Sequence, residues 1–535
     1  MAFSTIEMFL PLLVFLTLQG NVVCLSGSWK VLIKDAGISS MHSVVTHYDT
    51  VVLLDRKMKL SGRPCDDGVS NSGHCIVQSK EYHPATNRLR PLGGVSSDTW
   101  CSSGQFGPNG TLIQTGGYGN GGQKVRYFTP CTGSAGGHQQ CQWMESKEPM
   151  LKVIRWYSTN QLLPDGTQIV MGGIGGANYE YFPRRHDNDN PTDLPLLKNS
   201  NKDENNGYYP FLHLLPDGSL FILAGTNCIL LNTTTNKPKK TLPPIPGNPR
   251  TYPSGGSSVM LTLHPTDRNS YVEATILVCG GSAPGAYWAK GGANMTAMRT
   301  CGKITPTNRE PSWEIEYMPF ARTMGDMVML PTQDVLIING ATKGSQGYQK
   351  AAGPALHPVI YSPSKPAGRR FELQNPSAVP RMYHSTANLL PDGRVLVAGS
   401  NTHTTYVFDG DFPSELRLEA FSPGYLDSGN DKMRVRIERI DERVSYGGVF
   451  SVAVSGAELS EFEVNLMSAP FATHSFLQGQ RLVNVNVVGK YGQGTTVLKC
   501  KAPPRAEVAP PGYYMVFVVN GGIPCSSAGW VKIIT

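Results

Sequence analysis

Three segments of the sequence place a residue capable of metal or radical chemistry at the same distance before a turn. The separation is eight residues each time, in the pairs Cys101 and Asn109, Tyr157 and Asp165, and His384 and Asp392. Proline and glycine flank the second member of each pair and favour a tight turn. If the segments are equivalent strands in a closed ring of repeats, all three side chains point toward its axis. The spacing thus predicts one site built from residues far apart in the chain.

The dipeptide Tyr383-His384 supplies an oxygen and a nitrogen ligand, a set that suits cupric ion. Neighbouring residues in a regular strand point to opposite faces, so both can bind one metal only where a strand begins or bends. Pro380, just upstream, predicts such a strand entry. A second histidine must come from elsewhere, and His474 lies between two predicted strands of the C-terminal region. We expect its loop to reach the mouth of the ring.

Each of these residues has a plainer interpretation when it is taken alone. A Tyr-His pair in a repeat is usually packing, a cysteine in an exported chain usually forms a disulfide, and a loop histidine is usually solvated. What favours a site is that Cys101, Tyr157 and His384 all lie eight residues before a turn residue. Tyr209, eight residues before Asp217, also carries an aromatic hydroxyl, and we predict only that it lines the pocket. His213 is predicted to be a strand residue.

The repeat continues beyond these segments. Apolar runs follow the turns and end at small residues, as in LLPDGTQIVMGG, LLPDGSLFILAG and LLPDGRVLVAGS. They stop at glycines 52 to 59 residues apart, namely Gly117, Gly173, Gly225, Gly281, Gly340 and Gly399. This period, with short strands, is typical of kelch-type blades in a β-propeller. Residues 41–54 supply a seventh blade, and residues 404–408 are the candidate strand that closes the ring. The alternative, an open two-sheet sandwich, is disfavoured by so regular a period.

A change of pattern near residue 416 predicts a second domain. Strand-like runs at residues 434–437, 449–454, 462–466 and 513–519 are separated by Gly, Pro and Ser turns, as in an immunoglobulin-like β-sandwich. We therefore expect an all-β chain. The predicted domains are a signal peptide at 1–26, a seven-bladed kelch-type β-propeller at 27–415 and an immunoglobulin-like domain at 416–535.

The composition and the N-terminus favour a secreted protein. Residues 8–18 form an apolar stretch that is too short to span a bilayer and lies where a secretory signal belongs. Sequons at Asn109, Asn232 and Asn294 are consistent with export and glycosylation. The formal net charge of +7 is small for 535 residues, so nucleic acid is not an expected partner. No second apolar segment suggests a membrane anchor, so a membrane is not an expected partner either. We expect an extracellular protein of the apoplast or cell wall.

The chain has 11 cysteines, and one of them, Cys24, leaves with the predicted signal. Spacing makes local disulfides plausible, although it does not settle the connectivity. The candidate pairs are Cys65 with Cys75, Cys131 with Cys141, Cys279 with Cys301, and Cys500 with Cys525. If Cys101 is chemically occupied, an odd thiol remains, and Cys228 in an apolar strand is the candidate for a buried free one.

Four motifs resemble those of the copper radical oxidases, and they occur in the same order. They are TWCSSG, RWYSTNQLLPDGTQIVMGG, RMYHSTANLLPDGRVLVAGSN and APFATHSFLQGQR. The sequence is most similar to the glyoxal oxidase branch, including its plant aldehyde-oxidase-like members. That family has a seven-bladed propeller followed by an immunoglobulin-like domain, so the resemblance covers nearly the whole mature chain.

The resemblance implies a role for each site residue. Cys101 is joined to a ring carbon of Tyr157 by a thioether, and Tyr157 binds copper and carries the radical. Tyr383 is the axial ligand and the base. His384 and His474 complete the protein ligands of a single copper ion. The implied activity is oxidation of small aldehydes, as hydrates, or of simple alcohols, with dioxygen reduced to hydrogen peroxide.

The sequence departs from galactose oxidase, a member of the same family. A tryptophan that stacks over the crosslink follows the Gly-Gly stop there, whereas Ile174-Gly175-Gly176 follows it here. The N-terminal sugar-binding domain and the sugar ligands of galactose oxidase have no match. Two alternatives remain open, namely a galactose-type alcohol oxidase and a non-catalytic propeller that binds cell-wall polysaccharide.

Overall fold

The computed structural model describes residues 25–60, 70–71, 74–131, 141–204, 206–459, 461–492 and 494–535. The predicted signal peptide lies outside the described residues except for its last two positions. Cys65 lies outside them as well, and the side chain of Cys75 is not described, so their predicted disulfide stays a prediction.

Strands form most of the regular structure. Up to residue 422 they are, in chain order, β1 (Ser28–Ile33), β2 (His42–Val45), β3 (Val51–Leu60), β4 (Ser70–Asn71), β5 (His74–His83), β6 (Arg88–Pro91), β7 (Ser103–Phe106), β8 (Leu112–Thr115), β9 (Val125–Phe128), β10 (Trp143–Glu145), β11 (Thr159–Leu162), β12 (Gln168–Met171), β13 (Asn178–Phe182), β14 (Thr192–Asp193), β15 (Phe211–Leu214), β16 (Ser219–Ala224), β17 (Asn227–Asn232), β18 (Lys237–Leu242), β19 (Ser257–Met260), β20 (Ile276–Cys279), β21 (Thr300–Ile304), β22 (Glu314–Tyr317), β23 (Asp326–Met329), β24 (Val335–Ile338), β25 (Ala341–Gly344), β26 (Ala351–Pro354), β27 (Val359–Tyr361), β28 (Phe371–Leu373), β29 (Ser385–Leu389), β30 (Val395–Gly399) and β31 (Leu418–Ser422). After it they are β32 (Arg436–Ile440), β33 (Arg443–Ser445), β34 (Val449–Ser455), β35 (Phe462–Ser468), β36 (Phe471–Thr473), β37 (Phe476–Gln478), β38 (Leu482–Val485), β39 (Val487–Tyr491), β40 (Thr496–Lys501), β41 (Gly512–Asn520), β42 (Ile523–Pro524) and β43 (Gly529–Ile534).

The first part of the chain folds into repeated antiparallel sheets, each with a buried inner strand. Six of these sheets have four strands, and a larger one holds β2 to β6 together with β36 and β37. Their inner strands contact one another in the order β7, β11, β15, β19, β23, β29 and β2, and β36 contacts both β2 and β7. This arrangement confirms the all-β prediction. The number of blades stays a prediction, because residues 61–69 and 72–73 lie outside the described part of the larger sheet.

Positive backbone φ angles in the turns explain the Pro-Asp-Gly signature. Gly166, Gly218 and Gly393 have φ values of +81°, +81° and +87°, a region that glycine enters without steric cost. In the copy that reads LPTQD, Gln333 takes this conformation at +70°. The strands that follow these turns are buried between neighbouring sheets, which is why their runs are largely apolar; they are Gln168–Met171, Ser219–Ala224 and Val395–Gly399.

The ring closes differently from the sequence prediction. Residues 404–408 form no strand; the Tyr406 hydroxyl instead donates to the Asp55 carboxylate and accepts from the Ser39 N–H group. In the sheet that begins with β29, β30 pairs with β31, and β31 pairs with β1 at the outer edge. Both chain segments are therefore needed for closure, and the predicted boundary between residues 415 and 416 is too early.

Two sheets form the C-terminal sandwich, as predicted. One has the strand order β32-β34-β40-β39, and the other has the order β33-β43-β41-β35-β38. The hairpin of β36 and β37 leaves this sandwich and pairs with β2 of the propeller, in the register His42 to Thr473. The C-terminal domain therefore contributes strands to the inner wall of the ring.

Side-chain amides fasten this hairpin to the propeller. The Gln480 amide donates to the Met327 carbonyl and accepts from the Met329 N–H group, at 2.9 Å and 2.8 Å, as a neighbouring strand would. Gln478 accepts from the Asn160 N–H group at 3.0 Å. These contacts lie on different inner strands, so the hairpin is held from several sides.

The disulfide predictions have mixed outcomes. The pairs Cys131–Cys141 and Cys279–Cys301 are bonded, the second directly across β20 and β21. Cys500 and Cys525 are free buried thiols, so their predicted bond is wrong; Cys500 lies on β40 and Cys525 follows β42, which belong to different sheets. Cys228 is buried and free, as predicted.

Helices play a small part in the described chain. The helix α1 spans Pro195–Glu204, and the remaining helical turns are short 3-10 segments. Among the described residues, no helix is long and apolar enough to cross a membrane.

Asp326 on β23 gives the fold a testable pH dependence. Its side chain is fully buried, and burial raises its pKa from 3.8 to about 8, although Asn339 donates to it and Arg322 is nearby. The folded chain therefore holds this proton more tightly than the unfolded chain. The resulting stabilisation is complete below pH about 4 and is lost as the pH rises toward 8.

We predict that Asp326→Asn removes this dependence, because the amide does not titrate. Between pH 5 and 8 the wild type should lose up to about 1 kcal/mol of unfolding free energy per pH unit relative to the variant. Urea unfolding at several pH values, followed by tryptophan fluorescence, measures the difference. Parallel stability curves for the two proteins would contradict the prediction.

Candidate copper site

The three residues with the shared eight-residue spacing do occupy one structural position. Cys101, Tyr157 and His384 have φ values of +52°, +67° and +66°, and each lies one or two residues before an inner strand. Left-handed backbone is uncommon outside glycine and costs about 1–3 kcal/mol per residue, so the surrounding structure must hold these three residues in it. This conformation turns each side chain toward the centre of the ring. The eight-residue spacing therefore identified equivalent backbone positions in different sheets.

Backbone hydrogen bonds link this position from one sheet to the next. The Tyr157 N–H group donates to the Cys101 carbonyl at 2.9 Å, and the Tyr209 N–H group donates to the Tyr157 carbonyl at 2.8 Å. Tyr209 has a φ of +43° and packs its ring on His474, with centroids 4.7 Å apart. The expectation that Tyr209 lines the site agrees with this placement, and His213 lies on β15 as expected.

Tyr383 and His384 both face the site because the strand begins only after them. Strand β29 starts at Ser385, and the left-handed His384 brings its ring against that of Tyr383, with centroids 3.8 Å apart. This is the strand entry that Pro380 predicted. Both side chains are about 2% exposed.

His474 reaches the centre of the ring from the other domain. It forms the two-residue turn of the β36–β37 hairpin with Ser475, and their φ values are +46° and +68°. Positive φ at both positions is the geometry of a tight hairpin turn. The His474 ring centroid lies 4.9 Å from that of His384, 5.6 Å from that of Tyr383 and 5.7 Å from that of Tyr157.

Cys101 completes the cluster. Its Sγ atom lies 3.2 Å from Nε2 of His474. The potential ligand atoms of Cys101, His384 and His474 all lie within 4.8 Å of one another. The five residues selected from the sequence, Cys101, Tyr157, Tyr383, His384 and His474, are thus brought together, and all are buried.

The structure adds Tyr252, a residue that sequence reasoning missed. Its hydroxyl lies 3.5 Å from the hydroxyls of both Tyr157 and Tyr383, and its ring centroid is 4.5 Å from that of Tyr157. In its sheet the left-handed position belongs to Gly255, which has a φ of +73°. The equivalent position thus carries no side chain in this sheet, and no sequence pattern singled out Tyr252.

Burial controls the charge of the site. It raises the pKa of both Tyr157 and Tyr383 well above the ordinary phenol value. Burial, reinforced by neighbouring histidines, lowers the pKa of His384 and His474 well below the ordinary imidazole value. Without a cation all four groups are therefore neutral. A bound divalent cation would reverse this preference for the phenols, because two phenolates balance its charge.

The residues present fit a cupric ion. Neither ring nitrogen of His384 has a hydrogen-bond partner among the described residues, although both nitrogens are buried. Buried polar atoms are normally paired, and both nitrogens of His384 are available to a bound ion. Two imidazoles and two phenols form a nitrogen and oxygen donor set of the kind that binds copper(II).

Aromatic rings surround Tyr157 in place of the tryptophan that galactose oxidase carries. Trp156 and Tyr208 lie 5.0 Å and 6.0 Å from it between centroids, and the Tyr208 ring is nearly parallel to it. Trp100 packs against Trp156 at 5.1 Å. Tyr179 packs on Tyr181 in the neighbouring sheet core instead. Shielding of Tyr157 is thus shared among several rings.

A surface cavity of about 420 Å³ leads to Tyr383. Its walls include Met382, Lys350, Thr402 and His403. The volume lies in the range that holds small molecules. A small substrate can therefore approach Tyr383 from outside the ring.

Buried phenols, imidazoles and a thiol at the centre of such a ring define the site of a copper radical oxidase. The model of the glyoxal oxidase N-terminus matches residues 41–425, and that of the galactose oxidase-like Early set domain matches residues 434–533. An aldehyde oxidase GLOX of Vitis pseudoreticulata is 47% identical, over 95% of this chain and 98% of the relative. Aldehyde oxidase GLOX1 of Arabidopsis thaliana is 38% identical, over 95% and 85%. The chain belongs to the glyoxal oxidase family, and it is an oxidase that uses copper.

A solved structure supports the fold independently. It is a fungal alcohol oxidase of the AA5 family in complex with copper, and it aligns with a TM-score of 0.73 over 95% of this chain and all of its own. The sequence identity of 19% makes this a similarity of fold.

Proposed function

We propose that this protein is a secreted oxidase of small aldehydes, taken as their hydrates, or of simple alcohols, and that it releases hydrogen peroxide. The convergence of Cys101, Tyr157, Tyr383, His384 and His474 on one buried point carries this proposal. The relatives named aldehyde oxidase support the aldehyde as substrate.

Four residues would hold the copper ion, namely Tyr157, Tyr383, His384 and His474. The ion supplies one-electron redox chemistry and an electrophilic position for the substrate oxygen. Removal of two electrons from the substrate requires a second redox group, and Tyr157 provides it as a phenoxyl radical. Its burial among Trp156, Tyr208 and Tyr252 excludes water from the ring.

Tyr383 is proposed as the base. Tyr383 lines the cavity, and as the base it would accept the proton of a substrate hydroxyl. Tyr157 then takes a hydrogen atom from the substrate carbon. Oxidation of an aldehyde hydrate to the acid releases two electrons and two protons, and dioxygen accepts both to become hydrogen peroxide.

Cys101 is proposed to form a thioether with the Tyr157 ring. Bond formation removes the thiol hydrogen and one ring hydrogen, with two electrons passing to dioxygen, so hydrogen peroxide balances this step as well. Burial raises the pKa of Cys101 well above the ordinary thiol value, which keeps it as a thiol until it reacts. The thioether would make oxidation of the phenol easier.

Secretion and glycosylation are part of the proposal. Asn109 and Asn294 are exposed, and Asn232 is half-buried, so the first two sequons are accessible to glycan transfer. Together with the apolar N-terminal segment, they support an extracellular location in the apoplast or cell wall.

Purified, copper-loaded protein tests the activity. We expect about one copper per chain and peroxide release with glyoxal or methylglyoxal, and neither peroxide nor aldehyde loss in the copper-free protein. The comparison of glyoxal with galactose separates an aldehyde oxidase from a galactose-type enzyme. Copper-loaded protein that releases no peroxide across an aldehyde and alcohol panel would defeat the proposal.

A further inference from the structure

A chain of hydrogen bonds leads from the propeller backbone to Nδ1 of His474. Nδ1 of His474 lies 2.7 Å from Oγ1 of Thr473, and the same oxygen lies 2.8 Å from Nδ1 of His42. Nε2 of His42 lies 3.2 Å from the Thr99 carbonyl oxygen. His42 is on β2 and Thr473 on β36, which pair directly at these two residues.

The direction of every hydrogen bond follows from one fixed acceptor. A backbone carbonyl can only accept, so Nε2 of His42 carries the hydrogen, and Nδ1 of His42 carries a lone pair. The Thr473 hydroxyl therefore donates to His42. Its oxygen is then free to accept from His474, which places the hydrogen of His474 on Nδ1.

The consequence is a bare Nε2 atom on His474 at the metal site. We propose that His42 and Thr473 are positioning residues that hold His474 in this tautomer, so that its Nε2 lone pair faces the copper ion. The Cys101 thiol, 3.2 Å from this Nε2 atom, can donate to it in the copper-free protein, which continues the same direction. Hydrogen bonds to the second nitrogen of a histidine ligand commonly fix its tautomer and ring orientation.

His42 must stay neutral for this arrangement to hold, and its surroundings keep it so. It is completely buried, and burial lowers its pKa to about 3, with Arg126 lowering it further. Ser102 Oγ, at 3.3 Å from Nε2, can share the hydrogen that the Thr99 carbonyl accepts. A reversed chain would place a nitrogen lone pair of His42 against the carbonyl lone pairs and would leave a hydrogen on the ligand nitrogen of His474.

A pair of Thr473 variants tests the inference. Thr473→Val keeps the shape and removes the hydroxyl, whereas Thr473→Ser restores it. We expect the valine variant to bind Cu²⁺ about 10–100-fold more weakly than wild type in a competition titration. The serine variant should recover most of the lost copper affinity. If Thr473 acted only through packing, the valine variant would bind copper more tightly than the serine variant, because serine lacks the methyl group that valine keeps.

The tautomer is read directly in copper-free, full-length protein labelled with ¹⁵N-histidine. The expected His474 signal is that of the Nδ1–H form in wild type, and of a mixture in Thr473→Val; His474→Gln assigns the signal. An Nε2–H form in wild type overturns the inference. So does a valine variant that binds copper as tightly as wild type.

His42→Phe provides a second route should the valine variant fail to fold. It removes the acceptor of the Thr473 hydroxyl and keeps a ring of similar size, and we expect the same loss of copper affinity. Unchanged affinity in this variant would overturn the inference. The inference rests on the proposed copper site, but different results would overturn each. Wild-type protein that binds no copper would overturn the site itself, whereas unchanged copper affinity in the variants would overturn only the role of His42 and Thr473.

Discussion

His474→Gln should reduce copper to a small fraction of one equivalent per chain and lower peroxide release by roughly a thousandfold or more. The variant removes the proposed ligand that the C-terminal domain inserts between the inner strands of the propeller. His42, whose ring centroid lies 6.3 Å from that of His474, is not free to replace it, because its Nδ1 and Nε2 atoms are both already hydrogen bonded. Metal analysis and a coupled peroxide assay measure the two effects.

His213→Gln is the matched control for this result. His213 is also a buried histidine of an inner strand and contacts the same hairpin through Phe476, but it bonds to Ser258 away from the site. We expect its copper content to remain near one per chain. Equal copper loss in both variants would show that stability, and not ligation, governs binding. Full copper content in His474→Gln would remove this residue from the site.

Cys101→Ser should abolish a covalent link that survives reduction. In copper-treated wild type, we expect the tryptic peptides that contain Cys101 and Tyr157 to remain joined, two hydrogen atoms lighter than their sum. In the serine variant they should separate. We also expect peroxide release to fall by at least about a hundredfold, because an unmodified phenol is harder to oxidise.

Cys228→Ser controls for the loss of a buried thiol. Cys228 is free and buried like Cys101, but it lies on β17 and its thiol donates to the Pro243 carbonyl. Its peptides and its activity should match those of wild type. If the Cys101 and Tyr157 peptides of the wild type separate on reduction, the proposed thioether is contradicted. The proposed copper site is not affected by that result.

The site could be predicted largely because a turn and a strand fix the distance between them. In the sheets that carry these residues, the inner strand is short and is followed by a tight turn, so a residue at the strand entry falls eight positions before the turn residue. Cys101, Tyr157 and His384 share that entry and its left-handed backbone. Their roles came from the resemblance to the family and not from this geometry.

The parts that sequence reasoning missed depend on contacts between distant segments. Residues 404–408 read as a strand by composition, but β1 and β31 take the available sheet edge. Cys500 and Cys525 are close in sequence, but the strand that carries Cys500 and the strand before Cys525 belong to different sheets. Tyr252 lies three residues before its left-handed Gly255, so local spacing carried no signal for it.

The hairpin that carries His474 also sets the order in which the enzyme can mature. Synthesis completes residues 385–422 before residues 471–478, so a nascent ring holds Tyr157, Tyr383 and His384 while its last ligand is still unmade. The proposed four-ligand site is therefore complete only once the second domain has docked. Copper held by all four proposed ligands would then report that the two domains have docked.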